Sequence, residues 1–448
     1  MNEEVAGQIS DAALVAWVRQ AAPYIHAFRG RTFVIAFGGE VLGTDKAQAL
    51  AQDFNLLASL GIRLVLVHGA RPQIDAEMQR RGLSVRFHNG LRVTDADALE
   101  CVKSAMGVTR IEIEALLSQG LPNTPMAGAW MRVTGGNFIT AKPVGVLDGV
   151  DHLYTGAVRK INAEEIAADL DQQNVVLITP LGVSPSGEIF NLTWESVAEA
   201  VAVALQADKL IFLSAAPGVV DKKGQLLEAV TVNEIESLLT RRVKQPEELE
   251  RVLVEAVRAC RAGVGRVHFL DRNADGAMLM ELFTRAGVGT VMTRSALVSL
   301  REATADDVGA ILALIAPLEA DGTLVRRGRE RLEMEIGRFS LLEDDGVIVG
   351  CAALYPFSGE RKGARAGELA CLAVMADYRR CGYGDQLCKH IEARARKLKL
   401  KKLFVLTTRT AHWFTERGFV VGDVTELPEA KRELYNYQRR SKVFIKAL

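Results

Sequence analysis

A chain of 448 residues is longer than one ordinary core organises, so two or three domains are expected. Hydrophobic residues at 49% and charged residues at 25% describe a globular protein in water, and a formal net charge of zero removes any whole-chain attraction to nucleic acid or a membrane surface. Cys101, Cys260, Cys351, Cys371, Cys381 and Cys388 form no CxxC pair and no His/Cys zinc spacing. With no signal-peptide pattern and no uncharged run of membrane-spanning length, they predict reduced thiols in a cytoplasmic protein without a metal.

Residues 11–28 have helical periodicity. Ser10 suits an N-cap, and Leu14, Trp17, Val18 and Ala21 share one face. Pro23 is expected to interrupt the helix before Gly30 ends the region. Such a helix either packs on its own domain or reaches a neighbouring subunit. Thr32–Phe37 reads as a strand closed by Gly38-Gly39, Lys46–Leu60 as a helix with Leu50, Phe54 and Leu57 inward, and Ile62–Val67 as a strand leading into His68-Gly69. Further apolar runs at Val175–Ile178 and Leu210–Leu213, with helical patterns between them, predict an α/β domain with a largely parallel sheet. Ligands in such sheets sit at the carboxyl ends of strands, where Gly38, Gly39 and Gly69 fall.

Past a boundary near Met292–Ser299, the strongest signal is Glu368–Leu387. Leu369–Met375 is an uncharged apolar run of strand length. Asp377 and Tyr378 turn the chain, and Leu387, Ile391, Ala395 and Leu398 follow at helical spacing. Gly382 and Gly384 at the helix start, beside Arg379 and Arg380, would let a diphosphate approach free amides and fixed positive charge. Read without further context, the same residues also suit a glycine turn between two core elements. Cys371 lies inside the apolar run with no adjacent histidine, which reads as a buried, inert thiol. The basic clusters at 324–330 and 389–402 lack aromatic interleaving, so nucleic acid is not an expected partner.

The 24–292 region resembles the amino-acid kinases, specifically the N-acetylglutamate kinases, through Phe37-Gly38-Gly39, Val67-His68-Gly69, the Asn89–Asp95 stretch, Ala207–Leu210 and Glu281–Thr284 with Gly287–Thr290. It departs where those kinases handle phosphate. Ala36 stands at the lysine position and Gly69-Ala70-Arg71 replaces a glycine triplet. Glu195 beside Trp194 replaces an aspartate, and Ser214-Ala215 ends what is Thr-Asp there; Lys223 is retained. Phosphoryl transfer depends on placed cations and amides, so this resemblance implies a kinase fold that no longer phosphorylates. Arginine-sensitive members of that family imply an L-arginine site at Lys209, His268, Glu281 and Gly287. Without the family, His268 reads as a core histidine and Glu281 as a solvated helix charge.

Arg379, Gly382 and Gly384 resemble the acetyl-CoA motif of the GNAT acetyltransferases, Val298–Val308 their first strand and helix, and Arg417-Gly418-Phe419 a late motif. A kinase-like domain (1–292) followed by a GNAT domain (293–448) resembles the bacterial N-acetylglutamate synthase family over essentially the whole chain. That resemblance implies acetyl transfer from acetyl-CoA to L-glutamate, feedback inhibition by L-arginine and a homo-hexamer. It implies Glu368 as base, the backbone of Cys371, Leu372, Ala373 and Val374 with Arg379, Arg380, Gly382 and Gly384 for acetyl-CoA, Arg327 and Arg439 for the substrate carboxylates, and Thr407 as a hydroxyl relay to the thiolate. Many GNAT enzymes place a tyrosine where this chain has Phe414. Glu368 also fits a charge at a strand start. Two other functions stay open: an active acetylglutamate kinase with an accessory GNAT domain, and a non-catalytic amino-acid sensor with a CoA site.

Overall fold

The computed structural model describes residues 11–119, 131–284, 287–294, 298–344, 346–357, 365–378, 382–433 and 441–448. By packing, the chain divides into two units, Met1–Ser295 and Ala296–Leu448.

The first unit opens with α1 (Asp11–Phe28), which runs through Pro23 where the sequence predicted an interruption. A proline costs one intrahelical hydrogen bond; Ala21, Tyr24, Ile25 and Phe28 pack onto the core on both sides of it and hold the helix together. β1 (Thr32–Phe37), α2 (Asp45–Ser59) and β2 (Arg63–His68) follow. The other strands of the main sheet are β3 (Val133–Thr134), β4 (Val175–Ile178), β5 (Lys209–Ser214), β6 (Ala229–Thr231), β7 (Arg266–Asp271) and β8 (Thr290–Thr293). Their order is β6-β8-β7-β5-β1-β2-β4-β3, parallel except for β7 against β8. α3 (Trp194–Ala204) and α4 (Glu247–Arg261) cover one face; α1, α2 and α5 (Ala277–Phe283) cover the other. Burial on both faces is why β1, β2, β4 and β5 read as unbroken apolar runs rather than alternating ones.

The second unit is a seven-stranded sheet in the order β9-β10-β11-β12-β13-β15-β14: β9 (Val298–Glu302), β10 (Phe339–Asp344), β11 (Val347–Phe357), β12 (Ala366–Val374), β13 (Lys402–Thr407), β14 (Val420–Gly422) and β15 (Lys442–Ala447). Among the described residues of this sheet only β12 and β13 pair in parallel. α6 (Val308–Ala320) and α7 (Arg329–Glu335) pack on one face; α8 (Tyr383–Lys397) and α9 (Ala411–Thr415) pack on the other, and α10 (Glu429–Arg432) precedes β15. Leu387, Ile391 and Ala395 of α8 are buried as its periodicity predicted. Leu398 is not: it is the C-cap, 50% exposed, because the helix ends at Lys397.

Candidate functional site

β12 pairs with β11 along nearly its whole length but with β13 only from Ala366 to Glu368. On its other edge β13 stays paired with β15 from Lys402 to Thr407. From Leu369 onward the two parallel neighbours therefore diverge, and their facing backbone edges are left for a ligand. A bulge sharpens the divergence: Cys371 and Leu372 oppose the single Ala352, and Cys371 takes φ +50°. Left-handed backbone at a non-glycine residue is costly and concentrates at functional sites. The wedge opens into a cavity of ≈ 660 Å³ walled by Leu369–Val374, Val405–Thr407, Gly382, Gly384 and Phe414 among others. Burial pushes the Cys371 thiol up to about 11, which fits an inert sulfur whose backbone is the useful part.

At the mouth, Gly382 caps α8 at φ +76°, a conformation that favours glycine. A Cβ at Gly384 would lie 3.1 Å from the Trp413 ring. Asp385, an acid in this first turn, is paired with Arg417, whose guanidinium stacks 3.8 Å above the Trp413 ring centroid. The carboxylate that would oppose an anion is thereby neutralised. Arg379, Arg380 and Arg439 lie outside the described residues. Thr407 ends β13, buried; its Oγ1 accepts the amides of Thr410 (3.1 Å) and Arg409 (3.4 Å) and lies 2.8 Å from Thr410 Oγ1. Two amides occupy its lone pairs, so its hydroxyl donates to Thr410 Oγ1 and has to turn from it to meet a ligand.

Glu368 alternates with Leu369 and so faces the other side of β12. It is buried, and its Oε2 lies 2.7 Å from Lys431 Nζ on α10. Its partner across the strands is Tyr355, whose hydroxyl donates to Glu335 at 2.6 Å. Arg327 is close by. Burial works against its charge, but Cys371, Tyr355 and Glu368 more than offset that and raise its pKa above the ordinary value. Its backbone amide is held by Glu319, and its Nη1 reaches the Val325 carbonyl at 3.3 Å. Its Nε is buried and has no hydrogen-bond partner among the described residues. Sequence reasoning missed Tyr355, Lys431, Thr410 and the Asp385–Arg417–Trp413 group. Strand pairing and a short helix bring them in, and neither leaves a spacing signal.

In the first unit, Lys209, His268, Glu281 and Gly287 come together. Adjacent strands β5 and β7 place Lys209 Nζ 3.2 Å from His268 Nε2, and His268 Nδ1 lies 2.7 Å from Glu281 Oε1. Glu281 Oε2 accepts the amides of Val288 (2.9 Å) and Gly289 (3.1 Å). A Cβ at Gly287, φ +62°, would fall 2.5 Å from that same oxygen. Burial and then the Lys209 charge lower His268 to about 4, so it is neutral, donating from Nδ1 and accepting from Lys209 at Nε2. Burial opposes ionisation of Glu281, yet its bonds to His268, Val288 and Gly289 hold it down at about 2. Burial, chiefly, lowers Lys209 to about 7. Lys209 opens its strand, so this cluster starts at the opposite end of the sheet from Gly38 and Gly69. Glu281 is thus not the solvated charge that its helix position alone suggested.

At the carboxyl ends, where ligands were expected, the space beside Gly69 is a cavity of ≈ 60 Å³, far below the several hundred Å³ of a nucleotide pocket. Trp194 presses on Gly69, so a Cβ there would meet its ring at 2.8 Å, and Glu195 is buried against Arg251 at 3.2 Å. Ala36 is fully buried in β1 and supplies no cation. Among the described residues no group of three or more His, Cys, Asp or Glu is placed to hold a metal, and no helix is long and apolar enough to cross a membrane.

The split sheet with its glycine-capped helix defines a GNAT acetyltransferase, here following a kinase-like α/β unit in the sequence. Residues 31–271 match the amino acid kinase family and residues 314–419 the acetyltransferase (GNAT) family. An amino-acid acetyltransferase of Azotobacter vinelandii is 53% identical over 97% of this chain and 99% of its own length. Among solved structures, N-acetylglutamate synthase from Neisseria gonorrhoeae complexed with coenzyme A and L-arginine aligns at TM-score 0.87 and 40% identity, over 97% of this chain and 99% of that one. The same enzyme complexed with coenzyme A and N-acetyl-glutamate aligns at 0.61 and 41% identity, over the same shares. The chain belongs to the amino-acid acetyltransferases.

Proposed function

We propose that this enzyme transfers the acetyl group of acetyl-CoA to the α-amino group of L-glutamate, the opening step of arginine biosynthesis, and that L-arginine bound at Lys209, His268, Glu281 and Gly287 inhibits it. The observation that carries the first half is the pairing, across β12, of a wedge of ≈ 660 Å³ with a buried carboxylate and a guanidinium whose Nε is unpaired among the described residues. Glu368 takes the proton of the α-ammonium, through water, and frees the amine to attack. Amides along the Leu369–Val374 edge face the carbonyl oxygen as negative charge develops there. The C–N bond forms, the C–S bond breaks, and the second nitrogen proton passes to the departing sulfur, which Thr407 hydrogen-bonds. Gly382 and Gly384, with Arg379 and Arg380, serve the diphosphate, and Arg327 and Arg439 the substrate carboxylates.

Thiol release from acetyl-CoA across a panel of amino acids, with and without arginine, tests this. Turnover confined to glutamate and suppressed by arginine is expected. Turnover indifferent to arginine would remove the regulatory half, and ATP consumption with N-acetylglutamate would restore the kinase alternative. Two further proposals rest on this reading. The protein acts in the cytoplasm, and it assembles as a homo-hexamer through α1, whose Trp17 and Val18 are about half exposed; a monomeric mass in light scattering would refute the assembly.

The arginine site carries a pH signature. Lys209 must be protonated to receive an α-carboxylate, and free Lys209 loses its proton above about pH 7. Binding then takes up a proton, and the arginine Kd is expected to rise by up to about tenfold per pH unit between 7 and 8.5. Calorimetry in buffers of different ionisation enthalpy reads both quantities. A Kd flat from pH 6.5 to 8.5 would detach Lys209 from the carboxylate.

A further inference from the structure

Among the described residues, Glu368 has one ion-pair partner, Lys431, at 2.7 Å, and that pair raises a difficulty for the chemistry. A base that must receive an ammonium already holds one. Displacing Lys431 would leave a partly buried ammonium, 22% exposed, without a counter-charge, and stranding one half of such a pair is unfavourable. A simple amine entering the site offers no compensation. An α-amino acid does, because its ammonium and carboxylate are carried by one carbon, within hydrogen-bond reach of each other, as the two charges of the Glu368–Lys431 pair are.

We propose that the α-amino acid inserts as a zwitterion into the Glu368–Lys431 ion pair, its ammonium going to Glu368 and its α-carboxylate to Lys431, so that Lys431 selects substrates with a carboxylate next to the reacting nitrogen. The inference rests on the proposed acetylation of glutamate and extends it to a residue that the sequence did not single out. The opened pair becomes a closed ring of four alternating charges, so each charge that loses its partner gains another. Lys431 then shares the α-carboxylate with Arg439, and Arg327, whose Nε has no partner among the described residues, takes the side-chain carboxylate.

The test compares the full-length protein with its Lys431→Met and Lys431→Arg variants. Substrates are glutamate and 4-aminobutyrate, which is glutamate without its α-carboxylate; saturating acetyl-CoA is supplied and thiol release is followed. For Lys431→Met the KM for glutamate is expected to rise about 10- to 100-fold, more than kcat falls, with the KM for acetyl-CoA unchanged. Its preference for glutamate over 4-aminobutyrate should fall by a similar factor, and Lys431→Arg should recover most of both. A purely structural lysine would lower kcat for both substrates alike and leave the preference unchanged; that result, or no effect at all, overturns the inference while the proposed function stands. A Lys431→Arg enzyme that folds, binds acetyl-CoA and yet has lost the preference overturns it as well. If the unaltered chain acetylates other amines but not glutamate, the proposed function falls and this inference falls with it.

Discussion

Replacing Glu368 by Gln is expected to lower kcat by about 10²- to 10⁴-fold with little change in the KM for acetyl-CoA. The exchange is nearly isosteric, and the pairing of this residue with Phe404 and Tyr355 runs through the backbone, so the wedge that starts one residue later should survive. Two things are lost: the group that accepts the ammonium proton, and the counter-charge of Lys431. The second costs about 1–3 kcal/mol of stability, because Glu368 is buried and Lys431 is only 22% exposed. The variant should therefore melt somewhat lower, and assays well below that temperature read the rate defect separately. The residual activity carries its own signature. Without a base the enzyme depends on amine already deprotonated in solution, so its rate should climb about tenfold per pH unit toward the pKa of the amine, while the unaltered enzyme levels off earlier. Steady-state thiol release from pH 6.5 to 9 reads both effects. A kcat within threefold of the unaltered enzyme would return Glu368 to the plainer role of a strand-start charge.

The parts of this molecule that were legible in its sequence are those governed by short-range periodicity. The apolar run at Val175–Ile178 is a strand with those same bounds, and the predicted helix at Lys46–Leu60 is shifted by one residue at each end. Both depend on which faces are buried, and burial leaves its mark residue by residue. Pro23 misled because local backbone chemistry disfavours it in a helix, while tertiary packing of Tyr24, Ile25 and Phe28 overrides that cost. The wedge could be anticipated only in outline. Nothing in Leu369–Val374 marks Cys371 as left-handed, because that bulge arises from a register mismatch with Ala352 on a neighbouring strand. Likewise, His268 and Glu281 separately look like a core histidine and a surface acid. Their contact depends on Lys209 and His268 lying on adjacent strands and on Glu281 reaching the amides of Val288 and Gly289. Lys431 is the clearest case of what stays hidden. It lies 63 residues from Glu368 in a basic, polar stretch whose appearance is that of any solvated turn.

Substituting Gln for Arg327 is expected to raise the KM for glutamate by about 10- to 100-fold, with acetyl-CoA binding unchanged and little change in the melting temperature, because the unpaired Nε costs stability while Tyr355 and Glu368 favour the charge. The pairing of these two effects is what distinguishes a substrate residue from a scaffold residue. Neighbouring arginines of the same basic cluster are neutralised within their own helix: Arg329 meets Glu333 at 2.8 Å and Arg331 meets Glu335 at 3.3 Å. Among the described residues Arg327 has no such carboxylate, and it keeps a buried Nε donor unpaired. An unsatisfied buried donor costs about 1–3 kcal/mol, which offsets part of what Tyr355 and Glu368 contribute in favour of the charge, a pattern common at sites whose ligand supplies the missing partner. Gln removes the charge and that donor, while the backbone amide of residue 327 keeps its bond to Glu319 at 2.9 Å. The amide side chain cannot form a charged contact with a carboxylate, so the preference for glutamate over glutamine should narrow along with the loss in KM. A melting temperature lowered by several degrees at unchanged KM would give the opposite assignment: the guanidinium would then be a brace for the 324–329 loop, and the side-chain carboxylate of the substrate would have to find its cation elsewhere.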